Sequence, residues 1–80
     1  MNKIRTRYFL QDKYTGQYIA IYEKSIGFVE YHLYDDFGYA NIYLTVEEAE
    51  KDRKLINDFY PEITINICEA AVTTTITVLK

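Results

Sequence analysis

Leu44 to Pro61, LTVEEAEKDRKLINDFYP, is the stretch whose apolar residues recur at helical spacing, and the rest of the chain is read outward from it. Thr45 and Glu48 stand in capping-box order: the Thr45 hydroxyl accepts from the Glu48 amide, and the Glu48 carboxylate reaches back to the Thr45 amide. A helix therefore starts at Thr45. Wound at about 100° per residue, Val46, Ala49, Ile56, Phe59 and Tyr60 fall on one side, with Leu55 at its margin, so this side faces a core. Glu47 and Glu50 precede Lys51 and Lys54 by four residues, the favourable order for ion pairs on the solvent side, each adding about 0.3 kcal/mol. Asp52 and Arg53 are expected to flank the stripe, the Arg53 stem covering apolar surface at its edge. Pro61 pushes Tyr60 toward extended backbone and ends the helix near Asp58.

Before the helix, Gly16, Gly27 and Gly38 recur at eleven-residue intervals, closing the stretches KYTG, KSIG and DDFG. Glycine supplies the positive φ of a short hairpin loop, so this rhythm predicts a strand meander. The strands expected are Ile4 to Asp12, Gln17 to Glu23, Phe28 to Tyr34 and Tyr39 to Tyr43. Alternation sorts Ile19, Ile21, Val29, Tyr31, Leu33, Ala40, Ile42 and Leu44 to one face, and the helix is expected to cover that face, Ile19, Ile21, Leu33 and Ile42 in particular. The opposite face then gathers Tyr18, Tyr22, Phe28, His32, Tyr34, Tyr39 and Tyr43.

After Pro61, Ile63, Ile65 and Ile67 occupy odd positions, whereas Val72, Ile76 and Val78 occupy even ones, interleaved with Thr73, Thr75 and Thr77. A change of parity calls for a turn or bulge near Glu69 to Ala71. No Gly, Pro, Asn or Asp lies there, which leaves one bent strand beside a hairpin as alternatives for residues 62–79. The fold class expected is α+β: a four-stranded antiparallel meander, one helix on one face, then one or two C-terminal strands.

Eighty residues make one domain that buries only about 60% of its unfolded surface. With 49% apolar and 26% charged residues the composition is that of an ordinary folded chain, unusual only in its nine Tyr and four Phe without Trp. The net charge is −3 and unevenly spread, residues 1–29 carrying five basic and two acidic groups and residues 30–62 three and nine. The acidic middle is a candidate contact for a basic partner. One cysteine, Cys68, excludes an internal disulfide and a thiolate cluster and fits a reducing compartment. The N-terminus has too short an apolar run for a signal peptide, and no run approaches the roughly 20 residues of a membrane span, so a cytoplasmic location is expected.

Catalytic chemistry has little to stand on. Ser25, His32 and Cys68 each occur once, and a nucleophile needs a base within hydrogen-bond reach, which for Cys68 and His32 requires neighbouring strands. Asp35 and Asp36 fit a turn, and Glu47 and Glu48 fit a helix N-terminus. No phosphate-cradling glycine loop is present. The expectation is a non-enzyme with no cofactor, no metal site and no catalytic residues.

Asp12, Lys13, Thr15, Gly16 and Tyr18, followed by Thr45, Glu47, Glu48, Ala49, Glu50 and Lys51, resemble a layout among small accessory proteins of Gram-positive bacteriophages and prophages: a D-K-x-T-G-x-Y hairpin, then a strand running into T/S-x-E-E-A-E-K. The matching pieces cover somewhat over a third of the chain and transfer no functional residues. The resemblance implies a phage or mobile-element protein that works by binding host proteins.

The aromatic face is the sharpest functional feature. Tyrosines pair well across strands, yet a contiguous aromatic face opposite the only helix exceeds what a soluble monomer normally exposes, so another chain is expected to cover it. The first reading is a protein-binding module, inhibition of a host enzyme or defence system being one form of it. The alternatives are single-stranded nucleic-acid binding, with Lys3, Arg5, Arg7 and Lys13 on phosphates, and a homodimer packed sheet to sheet or edge to edge.

Overall fold

The computed structural model describes residues 2–75 and 78–79. In chain order it contains β1 (Asn2–Asp12), β2 (Tyr18–Ser25), β3 (Phe28–Tyr34), a single 3-10 turn (Phe37–Tyr39), α1 (Val46–Phe59) and β4 (Ile65–Thr75). The architecture is α+β, with a four-stranded antiparallel sheet in the order β3-β2-β1-β4 and one helix against it.

Two of the three glycines make the hairpin turns expected of them. Gly16 and Gly27 have φ of 74° and 84°, and Gly27 closes the two-residue loop between Ser25 and Phe28. The first loop is further held by Asp12 Oδ1, which accepts from the amides of Tyr14 at 2.8 Å and Thr15 at 3.0 Å. Gly38 is different: it lies in the 3-10 turn, where its amide donates to Asp36 Oδ1 at 2.8 Å.

The meander stops after three strands. Tyr39 to Tyr43, expected as a fourth, is a 3-10 turn followed by an isolated bridge, and the fourth strand of the sheet is the C-terminal one. The reason lies in a fork between β1 and β2, which register only at Gln11 and Tyr18 and then diverge. The segment after the 3-10 turn fills the fork. The Asn41 amide donates to the Ile19 carbonyl of β2 at 3.3 Å, while Tyr43 and Tyr8 of β1 exchange both amide bonds at 2.8 and 3.0 Å. Only Asn41 and Tyr43 bond to backbone groups freed by the fork, too few residues to form a strand.

β4 pairs with β1 from Asn2↔Thr75 to Asp12↔Ile65 without a register shift, so it is one strand with neither turn nor bulge at Glu69 to Ala71. The parity change is real and harmless. Ile65 and Ile67 meet the core, whereas Val72 stands opposite Arg5, where the β1–β4 ribbon runs beyond the helix. Alternation constrains a strand only where one face is buried. Ile76 and Thr77 lie outside the described residues. The projecting ribbon gives extents of 52 × 27 × 20 Å and a radius of gyration of 14.6 Å, against roughly 12 Å for a compact chain of this length.

Thr45 caps α1, its hydroxyl accepting from the Glu48 amide at 3.2 Å, and the Glu48 carboxylate accepts from the Leu44 amide rather than that of Thr45. The helix runs one residue past the expected end, to Phe59. Ala49 and Ile56 are fully buried against Leu10, Ile19, Val29, Ile63 and Ile65, Ile56 contributing about 2 kcal/mol by burial. Val46 and Phe59, expected on the core side, are 43% and 41% exposed. The buried line is Ala49, Asp52 and Ile56, so a carboxylate occupies the middle of the apolar stripe.

Candidate functional site

The outer face of the sheet carries a continuous layer of rings. Tyr22 meets His32 edge-on at 4.6 Å, and Tyr34 stacks on Tyr39 at 4.5 Å and on His32 at 6.4 Å. The hydroxyls of Tyr22 and Tyr34 are hydrogen-bonded to each other, which raises the Tyr34 pKa by favouring its neutral form. Next to this group, Phe9, Tyr18 and Phe37 form a triangle with centroid distances of 5.0 to 5.6 Å. The 3-10 turn makes this possible by folding Phe37 back over the strands. Phe9 and Tyr18 are thereby partly covered by the chain itself.

Six of the seven expected aromatic-face residues lie on the outer face. Tyr18 and Tyr34 pair across β2 and β3, Ala20 stands opposite His32, and Phe28 ends the row opposite Ser25. Tyr22 is 56% and Tyr39 58% exposed, and Phe28 and His32 are about half exposed. Tyr43 is the exception: it is 8% exposed in the core under α1, while Ile42, expected there, is 45% exposed. The bridge to Tyr8 sets which of the two side chains turns inward, and a bridge is not read from alternation in a five-residue run.

β1 brings three of the four basic residues named as phosphate contacts onto one face. Lys3, Arg5 and Arg7 alternate on the face that carries Phe9, each spaced by about 7 Å along the strand. Ala70 and Val72, their neighbours on β4, are uncharged. Among the described residues this part of the ribbon face carries no carboxylate, although the chain is acidic overall.

Under the helix a second polar group is buried. Asp52, 6% exposed, accepts from the Tyr43 hydroxyl at 2.8 Å and from Lys24 Nζ at 2.9 Å. This overturns its expected place at the stripe's edge. The cause is a β-bulge at Tyr22: Ile21 pairs with Tyr31 but Glu23 pairs with Glu30, so parity flips and Lys24 stands opposite the buried Val29, on the helix side. Asn41 secures the bulge by accepting the Ile21 amide on its side-chain oxygen. Burial, followed by the hydrogen bond to Asp52, pushes the Tyr43 hydroxyl far above its ordinary pKa of 10.0. The sequence signal for this group was a carboxylate three residues after Ala49 and four before Ile56.

Other expected contacts rearrange. Glu50 is ion-paired to Arg53, whose hydrogen bonds hold the Glu50 carboxyl below its usual range. Glu47–Lys51 and Glu50–Lys54 pairs are not formed among the described residues. Cys68 and His32 lie on β4 and β3, opposite edges of the sheet with β1 and β2 between them, and are not brought together. Cys68 instead donates to Gln11 Oε1, its thiol pKa raised by burial, and His32 contacts Glu30 at 2.8 Å. Among the described residues no group of three or more His, Cys, Asp or Glu is placed to hold a metal ion, and no helix is long and apolar enough to cross a membrane. Comparison with protein-family models, curated proteins and solved structures gives no match.

Proposed function

We propose that the protein is a binding module that occupies the surface of a partner protein with the outer face of its sheet. The observation that carries this reading is the row of rings formed by exposed Tyr22, His32 and Tyr39 around half-buried Tyr34, with exposed Phe28 farther along the same face. Tyrosine offers large amphipathic area at low entropic cost and is enriched at interface centres. The rings are also stacked on or set edge-on to one another, which leaves fewer free faces than a base-stacking platform needs. The resemblance to phage and prophage accessory proteins supports a host protein as the target and a cytoplasmic site of action in the bacterial host, and inhibition of a host enzyme or defence system is the consequence of such occupancy.

The test is affinity capture from host lysate with mass spectrometry, comparing the native chain with Tyr22→Ala and Tyr34→Ala. Loss of one specific captured protein with an unchanged circular dichroism spectrum supports the reading. Undiminished capture by both variants removes the aromatic face from it.

The row Lys3, Arg5 and Arg7 favours a second reading, single-stranded nucleic acid laid along the ribbon. A labelled oligonucleotide tests it, since this reading requires a shift that weakens steeply with salt. A sheet-to-sheet homodimer is a third, and a monomer by light scattering at tens of micromolar argues against it.

A further inference from the structure

We infer that a groove between the β2–β3 hairpin tip and α1 is a binding site for a small amphiphile bearing a single negative charge. The site is separate from the aromatic face. Its volume is about 560 Å³, within the roughly 300–1,000 Å³ of small-molecule sites. Ile26 and Gly27 form one wall and Leu55 and Phe59 the other, so its lining is mainly apolar. Ile26 is fully exposed at the tip and Phe59 is 41% exposed on the helix. An occupant seated here removes apolar surface from water that the fold leaves uncovered.

Charge selects the occupant. Lys24, Lys51 and Lys54 line the groove with Asp52 and Asp58. Asp52 is already engaged by Lys24 and Tyr43. Lys51 and Lys54 form no ion pair among the described residues, Glu50, the expected partner of Lys54, being held by Arg53. Three ammonium groups against two carboxylates leave one positive charge beside an apolar lining, in a chain whose net charge is −3. A carboxylate or sulfonate attached to an aliphatic or aromatic body matches that arrangement, its head at Lys51 and Lys54 and its body between Ile26 and Phe59. A cationic amphiphile of the same size does not.

The experiment titrates the whole chain with anilinonaphthalene sulfonate, a fluorescent monoanion, and competes the dye with decanoate, decanol or decyltrimethylammonium. The expected result is saturable binding at one site, displaced by decanoate well before decanol and not by the cation. Lys51→Glu with Lys54→Glu is expected to weaken dye binding about tenfold, and Ile26→Asp to weaken it comparably, all three positions being exposed. Lys3→Glu, a charge reversal of the same kind on the far ribbon, is expected to leave it unchanged. Decanoate is expected to shift the amide resonances of Ile26, Gly27 and Leu55. Equal displacement by anion and cation, unchanged affinity in the doubly reversed variant, or resonance shifts elsewhere overturn the proposal. So does dye binding that vanishes at high chain concentration as light scattering reports a dimer, which assigns the groove to a second copy.

Discussion

Lys24 Nζ lies 2.9 Å from Asp52 Oδ1, joining the end of β2 to the centre of the helix across the edge of the core. Lys24 is half exposed and Asp52 almost fully enclosed, so the lysine serves the carboxylate more than the reverse. With the Tyr43 hydroxyl on Oδ2, both carboxylate oxygens are satisfied, and no buried side-chain polar atom among the described residues lacks a partner.

Asp52→Ala is therefore expected to cost about 3 kcal/mol, since it strands the buried Tyr43 hydroxyl and leaves Lys24 without its counter-charge. Lys24→Met is expected to cost under about 1 kcal/mol because its ammonium is solvated. Urea denaturation measures both, and equal small effects would show that Asp52 is not enclosed.

Alkaline pH is expected to destabilise the fold through Tyr43. Its folded pKa is raised above the unfolded value of 10.0, so the stability it contributes is complete below pH about 10 and is lost as pH rises beyond that, where the unfolded chain releases the proton first. The slope approaches about 1.4 kcal/mol per pH unit. Tyr43→Phe is expected to remove that part of the dependence, and denaturation curves between pH 9 and 11 that superimpose for the two chains would refute the assignment.

Replacing neighbours in the fork distinguishes its two faces. Tyr43→Ala is expected to cost about 3–5 kcal/mol as a core truncation, whereas Ile42→Ala, at a residue 45% exposed, is expected to stay near 0.5 kcal/mol. Thermal or chemical melts report the ratio, which alternation alone would have reversed.

Asn41→Ala is expected to cost about 1–2 kcal/mol, because the Ile21 amide loses its acceptor beside the bulge. Hydrogen exchange at Ile21 is expected to accelerate well beyond that at Ile19. Matching exchange at both positions would mean that the bulge does not depend on Asn41.

On the outer face, Tyr22→Ala and Tyr34→Ala are each expected to change stability by less than about 1 kcal/mol, since neither belongs to the buried cluster. A much larger loss in either melt would mark the row as part of the core rather than as a contact surface.

The helix was legible because it carries several independent local signals that agree: Thr45 with Glu48, the period of Ala49 and Ile56, and Pro61. The first two hairpins were legible for the same reason, each being held by a glycine at positive φ and flanked by clear alternation. Five of the seven outer-face residues followed from that alternation, and Tyr39 reaches the same face from the 3-10 turn by stacking on Tyr34. Tyr43 did not, because its facing is set by a bridge to Tyr8, thirty-five residues earlier. Asp52 looked marginal because a buried carboxylate makes sense only once Lys24 and Tyr43 are known to reach it, and both are placed by irregularities of the chain: a bulge and a fork.

Local chemistry thus determined the helix and the turns that separate the first three strands, though not every end of those elements, since caps, turns and periodicity act over a few residues. The tertiary structure alone decided that β4, and not the segment ending at Tyr43, completes the sheet beside β1, and that Asp52 belongs inside. Those outcomes depend on which backbone groups remain unpaired where β1 and β2 part, and on the parity shift at Tyr22. Both are consequences of contacts between distant residues, which no short-range pattern encodes.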